Sequence, residues 1–294
     1  MVSGRVATIP AGQPQGGQTL QGAGSEGVPL VYRHKLATRI WHWLNALAVF
    51  VLLMSGLMIF NAHPGLYWGQ YGANPDPAWL EIGVERDEGF LRVGGFQVRT
   101  TGVLGRWTGP DGEPVNRAFP GWATIPSGYD LALSRRWHLA SAWVLGFGLL
   151  AYMIASLWNR HFRDDLFVRR AELAPGHVWR DIVDHARLKF AVGDAALRYG
   201  ILQKLSYVGV VFILLPLMIG TGLAMSPALN AAWPWMLDLF GGRQSARSLH
   251  FIAAALLAAF ILVHLALVLL TGPYNQVRGM ITGRYRLPMA KDRR

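Results

Sequence analysis

Cysteine is absent from the 294 residues, and charged residues are scarce. Without a thiol, the chain has no disulfide, no thiolate-held iron–sulfur cluster, no Cys-attached haem and no Cys nucleophile. Any metal or cofactor must therefore be held by His, Met, carboxylate or backbone groups. Charged residues make up 15% of the chain and hydrophobic residues 52%, whereas a soluble domain carries about 25% charged residues. This shortage of charge indicates a protein whose solvent is lipid.

Four long apolar segments support that interpretation. Each has about the ~20 residues that a helix needs to cross a hydrocarbon core of ~30 Å. Tryptophan residues lie at or near the segment ends, where amphipathic rings favour the membrane interface. The sequence therefore predicts an all-α integral membrane protein, a bundle of four transmembrane helices over Ile40–Phe60, Trp137–Trp158, Leu205–Met225 and Leu249–Leu270.

Lys and Arg are unevenly distributed between the two sides of this predicted bundle. Nineteen lie before the first segment, in the 159–204 loop or after the last segment, and nine lie in the 61–136 and 226–248 loops. Because cytoplasmic loops of membrane proteins are enriched in Lys and Arg, both termini are predicted to be cytoplasmic. The net charge of +11 is explained by this topology, so nucleic acid is not an expected partner.

The remaining regions divide the chain further. Residues 1–30 are rich in Gly, Gln and Ser and cannot bury enough apolar surface to order, so they are predicted to form a disordered cytoplasmic tail. Residues 31–287 are predicted to be one domain, and 288–294 a basic cytoplasmic tail. The 61–136 insert would face outside, is too long for a simple connection, and is predicted to contain a short hairpin over Phe90–Thr101.

Four of the nine histidines lie within or at the edge of the apolar segments: His42, His138, His250 and His264. An ionisable residue at membrane depth is costly and marks function, although a single one could equally donate a hydrogen bond to a neighbouring helix. His250 and His264 are 14 residues apart, which places them on one helix face and about 21 Å apart along the axis. This spacing suits two stacked cofactors, whereas one metal ion needs ligands one turn apart.

The predicted topology assigns a partner to each of these two histidines. His42 and His264 would lie near the cytoplasmic side, and His138 and His250 near the outer side. Two histidines that project from facing helices of a bundle are the axial ligands of a b-type haem. We therefore predict two b haems, whose irons are bound by the inner pair and the outer pair.

Three further residues are predicted to contact the haems. Gly56 follows His42 by 14 residues, so it lies on the same face at the depth of the outer pair, where a porphyrin needs room. Arg243 and Arg247 precede His250 by seven and three residues, lie close to its face, and are predicted to bind the propionates of the outer haem. Ordinary alternatives are a small residue at a helix contact for Gly56 and docking charges at a helix start for the two arginines.

Three classes of function are compatible with histidines in a membrane: electron transfer through haem, a metal-dependent membrane enzyme without haem, and a His-dependent transporter. A metalloprotease or a carboxylate-bridged di-iron enzyme needs Glu or Asp beside its ligands, and the four segments contain neither. Transporters are often built from inverted repeats and broken helices. In this sequence only the third segment is interrupted, by Pro216, Gly220 and Gly222. Electron transfer is favoured, and no bond-making site is evident.

Several motifs resemble the bacterial cytochrome b561 and nickel-hydrogenase cytochrome b superfamily: Arg39–Trp43 (RIWHW), Arg136–His138 (RWH) and the paired histidines of the fourth segment. The runs NAHPGLYWG, TGLAMSP and GGRQSARSLH, which begin at 61, 221 and 241, further resemble thiosulfate-reductase-type cytochrome b subunits. The resemblance covers roughly 31–287. It implies a four-helix di-haem subunit that exchanges electrons between quinone and a periplasmic partner, either a molybdenum oxidoreductase of the thiosulfate or sulfur-compound type or a soluble redox protein.

Quinone, which diffuses in the bilayer, is predicted to react near His42 and His264. Its reduction consumes protons, which favours polar groups at the cytoplasmic interface. Each candidate is also an ordinary residue for a helix end. The candidates by position are Asn45, Tyr199, Gln203, Tyr274 and Asn275.

Overall fold

A computed structural model describes residues 30–73, 76–158, 168, 170–189 and 200–287. Within these ranges, four helices are long and apolar enough to cross a membrane: Leu36–Phe60, Leu131–Trp158, Ile201–Met225 and Arg243–Leu270. The four predicted spans are therefore confirmed. Each helix ends at the residue where the predicted apolar segment ends, but it begins four to six residues before that segment. The first turn of each helix contains polar residues such as Arg39 or Lys204, which a count of apolar residues leaves out.

The described helices, in chain order, are α1 (Leu36–Phe60), α2 (Leu131–Trp158), α3 (Pro175–Ala186), α4 (Ile201–Val208), α5 (Leu215–Met225), α6 (Pro227–Ala232), α7 (Trp235–Leu239), α8 (Arg243–Leu270) and α9 (Pro273–Thr282). A π-helical segment, Gly209–Leu214, joins α4 to α5, so these three pieces form the third span. The described strands are β1 (Leu30–Tyr32), β2 (Gly65–Leu66), β3 (Leu80–Glu85), β4 (Glu88–Val93), β5 (Phe96–Arg99), β6 (Arg106–Thr108), β7 (Pro114–Asn116) and β8 (Arg284–Arg286).

The π-helical segment lies directly before Pro216. A proline within a helix lacks an N–H group, and its ring clashes with the carbonyl group four residues earlier. The wider π-helical turns accommodate such a residue, and they occur frequently at functional sites. The predicted interruption of the third span is therefore a widened turn in a continuous helix.

The four spans pack as two helical hairpins, α1 on α2 and α5 on α8. In the first hairpin, the Trp41 ring lies directly over Gly148, where any Cβ atom would overlap it. The same ring stacks on Tyr152, with ring centroids 5.7 Å apart. The absence of a side chain at position 148 thus allows close packing of α1 and α2.

A layer of buried apolar side chains connects the two hairpins at mid-membrane. Leu257, on α8, lies seven residues from His250 and seven from His264, so this layer is halfway between them. Since lipid is as apolar as leucine, the layer is stabilised by van der Waals packing and not by removal of apolar surface from water. Its members are Val49, Leu52, Leu145, Leu149, Leu215 and Leu257.

The 61–136 insert contains β-strands, so the predicted all-α class holds for the membrane bundle and not for the insert. Strands β2, β3, β4 and β5 form an antiparallel sheet in that order, and β6 pairs with β7. The hairpin predicted over Phe90–Thr101 is confirmed by the β4–β5 ladder, in which Val93 lies opposite Phe96. The core of the insert continues into the bundle, since the rings of Phe60 on α1 and Phe251 on α8 are 4.9 Å apart between centroids.

The first turns of α8 bind the insert through its backbone. The N–H groups of Gln244 and Ser245 donate to the Gly69 carbonyl, and the Gly69 N–H donates to Ser245 Oγ at 2.7 Å. Gly242 has a φ of 108°, and a Cβ atom there would lie 2.6 Å from the Gly69 oxygen. A side chain at 242 is therefore excluded by both backbone conformation and space.

The two ends of the described chain meet at the end of the bundle where α1 begins. Strand β1 pairs with β8, with Leu30 opposite Arg286. Helix α9 follows α8, and its Met280 carbonyl accepts a hydrogen bond from Trp43 Nε1 at 3.1 Å. The two ends of the described chain thus lie at the same end of the bundle, as an even number of spans requires. Of the predicted tails, 1–29 and 288–294 lie outside the described residues, and Leu30 is the first residue of β1.

Gly148→Ala is expected to destabilise the protein by about 1–3 kcal/mol, because the new methyl group overlaps Trp41 and must separate α1 from α2 or displace the ring. The matched control is Gly146→Ala, since a Cβ atom at 146 meets nothing within 4 Å. The measurement is the thermal unfolding midpoint of the detergent-solubilised protein. Equal midpoints for the two variants would contradict the packing of Trp41 on Gly148.

Candidate functional site

The structure places the four membrane histidines in the two pairs that the sequence predicts. The rings of His42 on α1 and His264 on α8 have centroids 6.3 Å apart and planes inclined by 54°. The rings of His138 on α2 and His250 on α8 have centroids 6.3 Å apart and planes inclined by 55°. Each pair therefore connects the first hairpin to the second.

This separation fits one metal ion between the two rings of each pair. Imidazole nitrogens bound at about 2 Å on opposite sides of one metal place the ring centroids about 6 Å apart. Among the described residues, no three His, Asp or Glu side chains come together as a protein-only ion site would need. Each pair would thus supply two imidazole nitrogens to one metal ion, and its other coordination positions would fall to another group, which a porphyrin would provide. The donor set fits haem b at both positions.

Hydroxyl groups contact both rings of the outer pair. His138 Nδ1 lies 3.0 Å from Ser55 Oγ, and His250 Nδ1 lies 2.9 Å from Thr221 Oγ1. A histidine that ligates a metal typically donates its second ring N–H to a neighbouring acceptor, which sets the orientation of the ring. In both outer histidines this contact leaves Nε2 as the nitrogen available to a metal.

Aromatic rings surround the inner pair. His42 lies edge-on to Trp43, with centroids 5.1 Å apart, and His264 stacks on Phe260 at 5.9 Å. Ring packing restricts where these two imidazoles can lie. Ring packing thus positions the inner histidines, whereas hydroxyl groups contact the outer ones.

Three buried polar atoms at the inner pair have no hydrogen-bond partner among the described residues: Arg39 Nε, His42 Nδ1 and Asn45 Oδ1. All three belong to the first turns of α1. Buried polar atoms are normally paired, so unpaired ones indicate a place that water or a bound group completes. The inner end of the bundle therefore has unused donor and acceptor capacity beside a predicted ligand.

His34 lies at the same end, just before α1. Burial, together with the nearby Arg33 guanidinium, lowers the pKa of His34 to about 4. The ring is thus neutral near physiological pH. It adds no positive charge beside His42.

Gly56 lies against the outer pair, at the depth that its spacing from His42 predicts. A Cβ atom on Gly56 would be 3.4 Å from His138 Cε1, and one on Gly222 would be 3.5 Å from His250 Cε1. The sequence interpretation did not distinguish Gly222 from the other glycines and missed Ser55 and Thr221 altogether. The available signal was a repeated hydroxyl–Gly–Leu triplet, Ser55–Leu57 and Thr221–Leu223.

Arg243 and Arg247 donate to backbone carbonyl groups. Arg247 donates to the Gly65 carbonyl at 2.8 Å and to the His63 carbonyl. Arg243 donates to the Met225 carbonyl at 3.0 Å. These contacts attach the insert and the end of α5 to α8, which is the docking role considered as the alternative for both residues. Binding of haem propionates stays a prediction.

The quinone candidates have different surroundings. Gln203 donates to the Tyr207 hydroxyl at 3.2 Å, and the Asn275 amide is occupied by the Arg286 backbone. Tyr274 is exposed at the surface of α9, and residue 199 lies outside the described ranges. Asn45 therefore has the one unpaired buried oxygen among the described candidates.

A membrane bundle with histidine pairs facing each other across two hairpins is the architecture of a membrane-bound cytochrome b. The family model for prokaryotic cytochrome b561 matches residues 33–283, so the chain belongs to that family. It is a membrane electron-transfer subunit of a family that binds haem b.

A curated relative comes from Azospira oryzae and is named as a subunit, YedZ1, of a protein-methionine-sulfoxide reductase. It is 25% identical over 237 residues, which are 79% of this chain and 87% of the relative. No solved structure matches the chain.

Proposed function

We propose that this chain is a di-haem cytochrome b subunit of the bacterial inner membrane, which carries electrons between the quinone pool and a periplasmic oxidoreductase. The observation that supports this function best is the pair of His–His contacts, each with ring centroids 6.3 Å apart. Because their α8 members are 14 residues apart, the two sites lie about 21 Å apart along the helix. Two redox sites stacked in this way span most of the bilayer.

The roles of individual residues follow from their positions. His42 and His264 would hold the inner haem, and His138 and His250 the outer haem. When bound, haem iron takes up and releases one electron at a time by alternating between ferrous and ferric forms. The mid-membrane layer around Leu257 keeps water and ions out of the space between the two sites. The four spans contain no acidic residue that could hold a proton or a metal ion there.

We place quinone at the inner site, beside His42. Unpaired Arg39 Nε and Asn45 Oδ1 lie at this end of the bundle, and a quinone or quinol headgroup offers both an acceptor and a donor. The outer pair is covered by the insert, whose Trp79 Nε1 donates to Ser248 Oγ on α8 at 2.9 Å. A membrane-soluble reactant is therefore assigned to the inner site, and a protein partner to the outer one.

We propose that the partner is a molybdenum oxidoreductase that acts on an oxidised sulfur compound. The motifs that resemble thiosulfate-reductase-type subunits favour this class, and the YedZ1 relative is named for a reductase of protein methionine sulfoxide. The partner would bind where the insert and the α5–α8 connection lie together. A metal-dependent membrane enzyme is less well supported, because the described residues bring no carboxylate to either histidine pair.

Removal of single histidines should separate the two haems. His42→Ala and His264→Ala are each expected to lose the same haem, and His138→Ala and His250→Ala the other, because one missing axial ligand opens one site. Haem content and low-spin absorption spectra of the purified protein provide the measurement. His177→Ala, outside the spans, is the matched control and should retain both haems. Loss of a common haem in His42→Ala and His250→Ala would refute the pairing.

Reporter fusions should establish the orientation that the distribution of Lys and Arg predicts. Fusions after Arg294 and within α3 are expected to be active in the cytoplasm, and a fusion at Gly109 in the insert is expected to be active in the periplasm. A fusion at Gly109 that is active in the cytoplasm alone would invert the topology and exchange the inner and outer haems.

Asn45→Leu is expected to slow quinol-driven haem reduction several-fold, because it removes the unpaired oxygen assigned to the quinone headgroup. Both haem spectra should stay intact, since Asn45 is not a ligand. Gln203→Leu is the control, because the Gln203 amide already bonds Tyr207. Stopped-flow reduction by a short-chain quinol is the measurement. An unchanged rate in Asn45→Leu, with slower reduction on substitution beside His138, would place the quinone site outside.

A further inference from the structure

The two halves of the outer site are constructed in the same way. Ser55 on α1 contacts His138 on α2, its partner in the first hairpin, at 3.0 Å. Thr221 on α5 contacts His250 on α8, its partner in the second hairpin, at 2.9 Å. Each hairpin thus carries one imidazole and one hydroxyl group that contacts it.

The direction of these hydrogen bonds follows from a count of protons. A hydroxyl group has one proton, and each of these hydroxyls lies 2.6 Å from the carbonyl oxygen four residues earlier, Ser55 from Val51 and Thr221 from Leu217. The proton is used in that short bond, so the hydroxyl oxygen accepts from the ring. Both outer imidazoles are therefore protonated at Nδ1 and unprotonated at Nε2, the form in which Nε2 binds a metal.

A glycine follows each hydroxyl residue and faces the same ring. A Cβ atom on Gly56 would lie 3.4 Å from Cε1 of one outer histidine, and a Cβ atom on Gly222 would lie 3.5 Å from Cε1 of the other. Each imidazole thus has a hydroxyl group at Nδ1 and open space at Cε1 that a methyl group would fill.

An ordinary explanation is that Ser and Thr in a membrane helix bond their own helix and do nothing more. Ser134 illustrates that case, since it is fully buried and donates to the Leu131 carbonyl at 3.1 Å. Ser55 and Thr221 differ from it in two respects. Both are fully buried with the hydroxyl group beside a histidine ring, and both precede a glycine whose missing side chain leaves space next to that ring. A bond in such a dry environment is stronger than in water.

We propose that Ser55 and Thr221 are positioning residues for the outer haem. They hold each axial imidazole in one tautomer and one orientation, and by accepting its Nδ1–H they make it a stronger electron donor to the iron. A stronger donor stabilises the ferric form. Among the described residues, His42 Nδ1 has no hydrogen-bond partner. This ligand of the inner haem would therefore lack the effect that Ser55 and Thr221 have on the ligands of the outer haem. The inference rests on the proposed two-haem function.

Ser55→Ala and Thr221→Val test the role in the purified full-length holoprotein, since each removes the hydroxyl group and keeps most of the volume. Optical redox titration should show a higher midpoint potential for the outer haem, seen as a several-fold rise in its ferrous-to-ferric ratio at fixed ambient potential. The low-spin EPR signal of that haem should shift or broaden, because it depends on the angle between the imidazole planes. The inner haem should be unchanged in both measurements.

Three controls separate positioning from packing. Ser55→Thr and Thr221→Ser keep the hydroxyl group and should show the wild-type potential and EPR signal. If Ser55→Ala loses the outer haem altogether, these two variants still test whether the hydroxyl group sets the potential. Ser134→Ala removes a buried hydroxyl group that bonds only its own helix, and should leave both haems unchanged.

Two results would overturn the proposal while leaving the di-haem function intact. One is an unchanged outer potential and EPR signal in Ser55→Ala and Thr221→Val with both haems present. The other is an equal shift in the hydroxyl-retaining variants, which would show that volume and not hydrogen bonding matters. Retention of both haems in His138→Ala would instead refute the proposed ligation itself.

Discussion

The two imidazoles that α8 presents on one face, 14 residues apart, constrain the rest of the bundle. A helix that begins at one membrane surface can bring His250 near that surface and His264 near the other. The other helices must then supply partners at the matching depths. Helix α1 does so with His42 at the inner end, α2 with His138 at the outer end, and the third span contributes a hydroxyl group and a glycine in place of a histidine.

The polar groups at the two ends of the bundle have different hydrogen-bond partners. At the outer end the insert carbonyls pair with Arg247, Trp79 pairs with Ser248, and the outer rings pair with hydroxyl groups, while His63 Nε2 and Gln244 Oε1 have no partner among the described residues. At the inner end, polar atoms of Arg39 and Asn45 remain unpaired. Unpaired atoms therefore occur at both ends, and the inner end is distinguished by Arg39 and Asn45 lying one turn from His42 on α1, where a small reactant from the bilayer would reach them.

Periodicity determined what could be predicted from sequence. The spacing of His250 and His264, the position of Gly56 and the four apolar lengths all follow from helix geometry, and the structure places them accordingly. Side-chain chemistry without spatial context was less informative: the backbone carbonyls that Arg243 and Arg247 bond could not be foreseen, and propionate binding by either residue stays a prediction. The β2–β3 pairing was equally inaccessible, because it depends on contacts across a long loop. Ser55 and Thr221 were overlooked because a hydroxyl in a membrane helix usually bonds its own turn.

The packing of the spans as two hairpins determines which contacts stabilise the membrane domain. Lipid provides no hydrophobic drive for helices to associate, and close backbone packing among the described spans is within each hairpin. Between the hairpins lie the mid-membrane layer and the two histidine pairs, each pair with one ring from either side. A group bound by both rings of a pair joins α1 or α2 to α8. Since such a group binds the assembled bundle and not the separated hairpins, its binding energy adds to the stability of the fold. Under the proposed ligation, the histidine pairs that would carry electrons through bound haem would therefore also hold the two halves of the membrane domain in register.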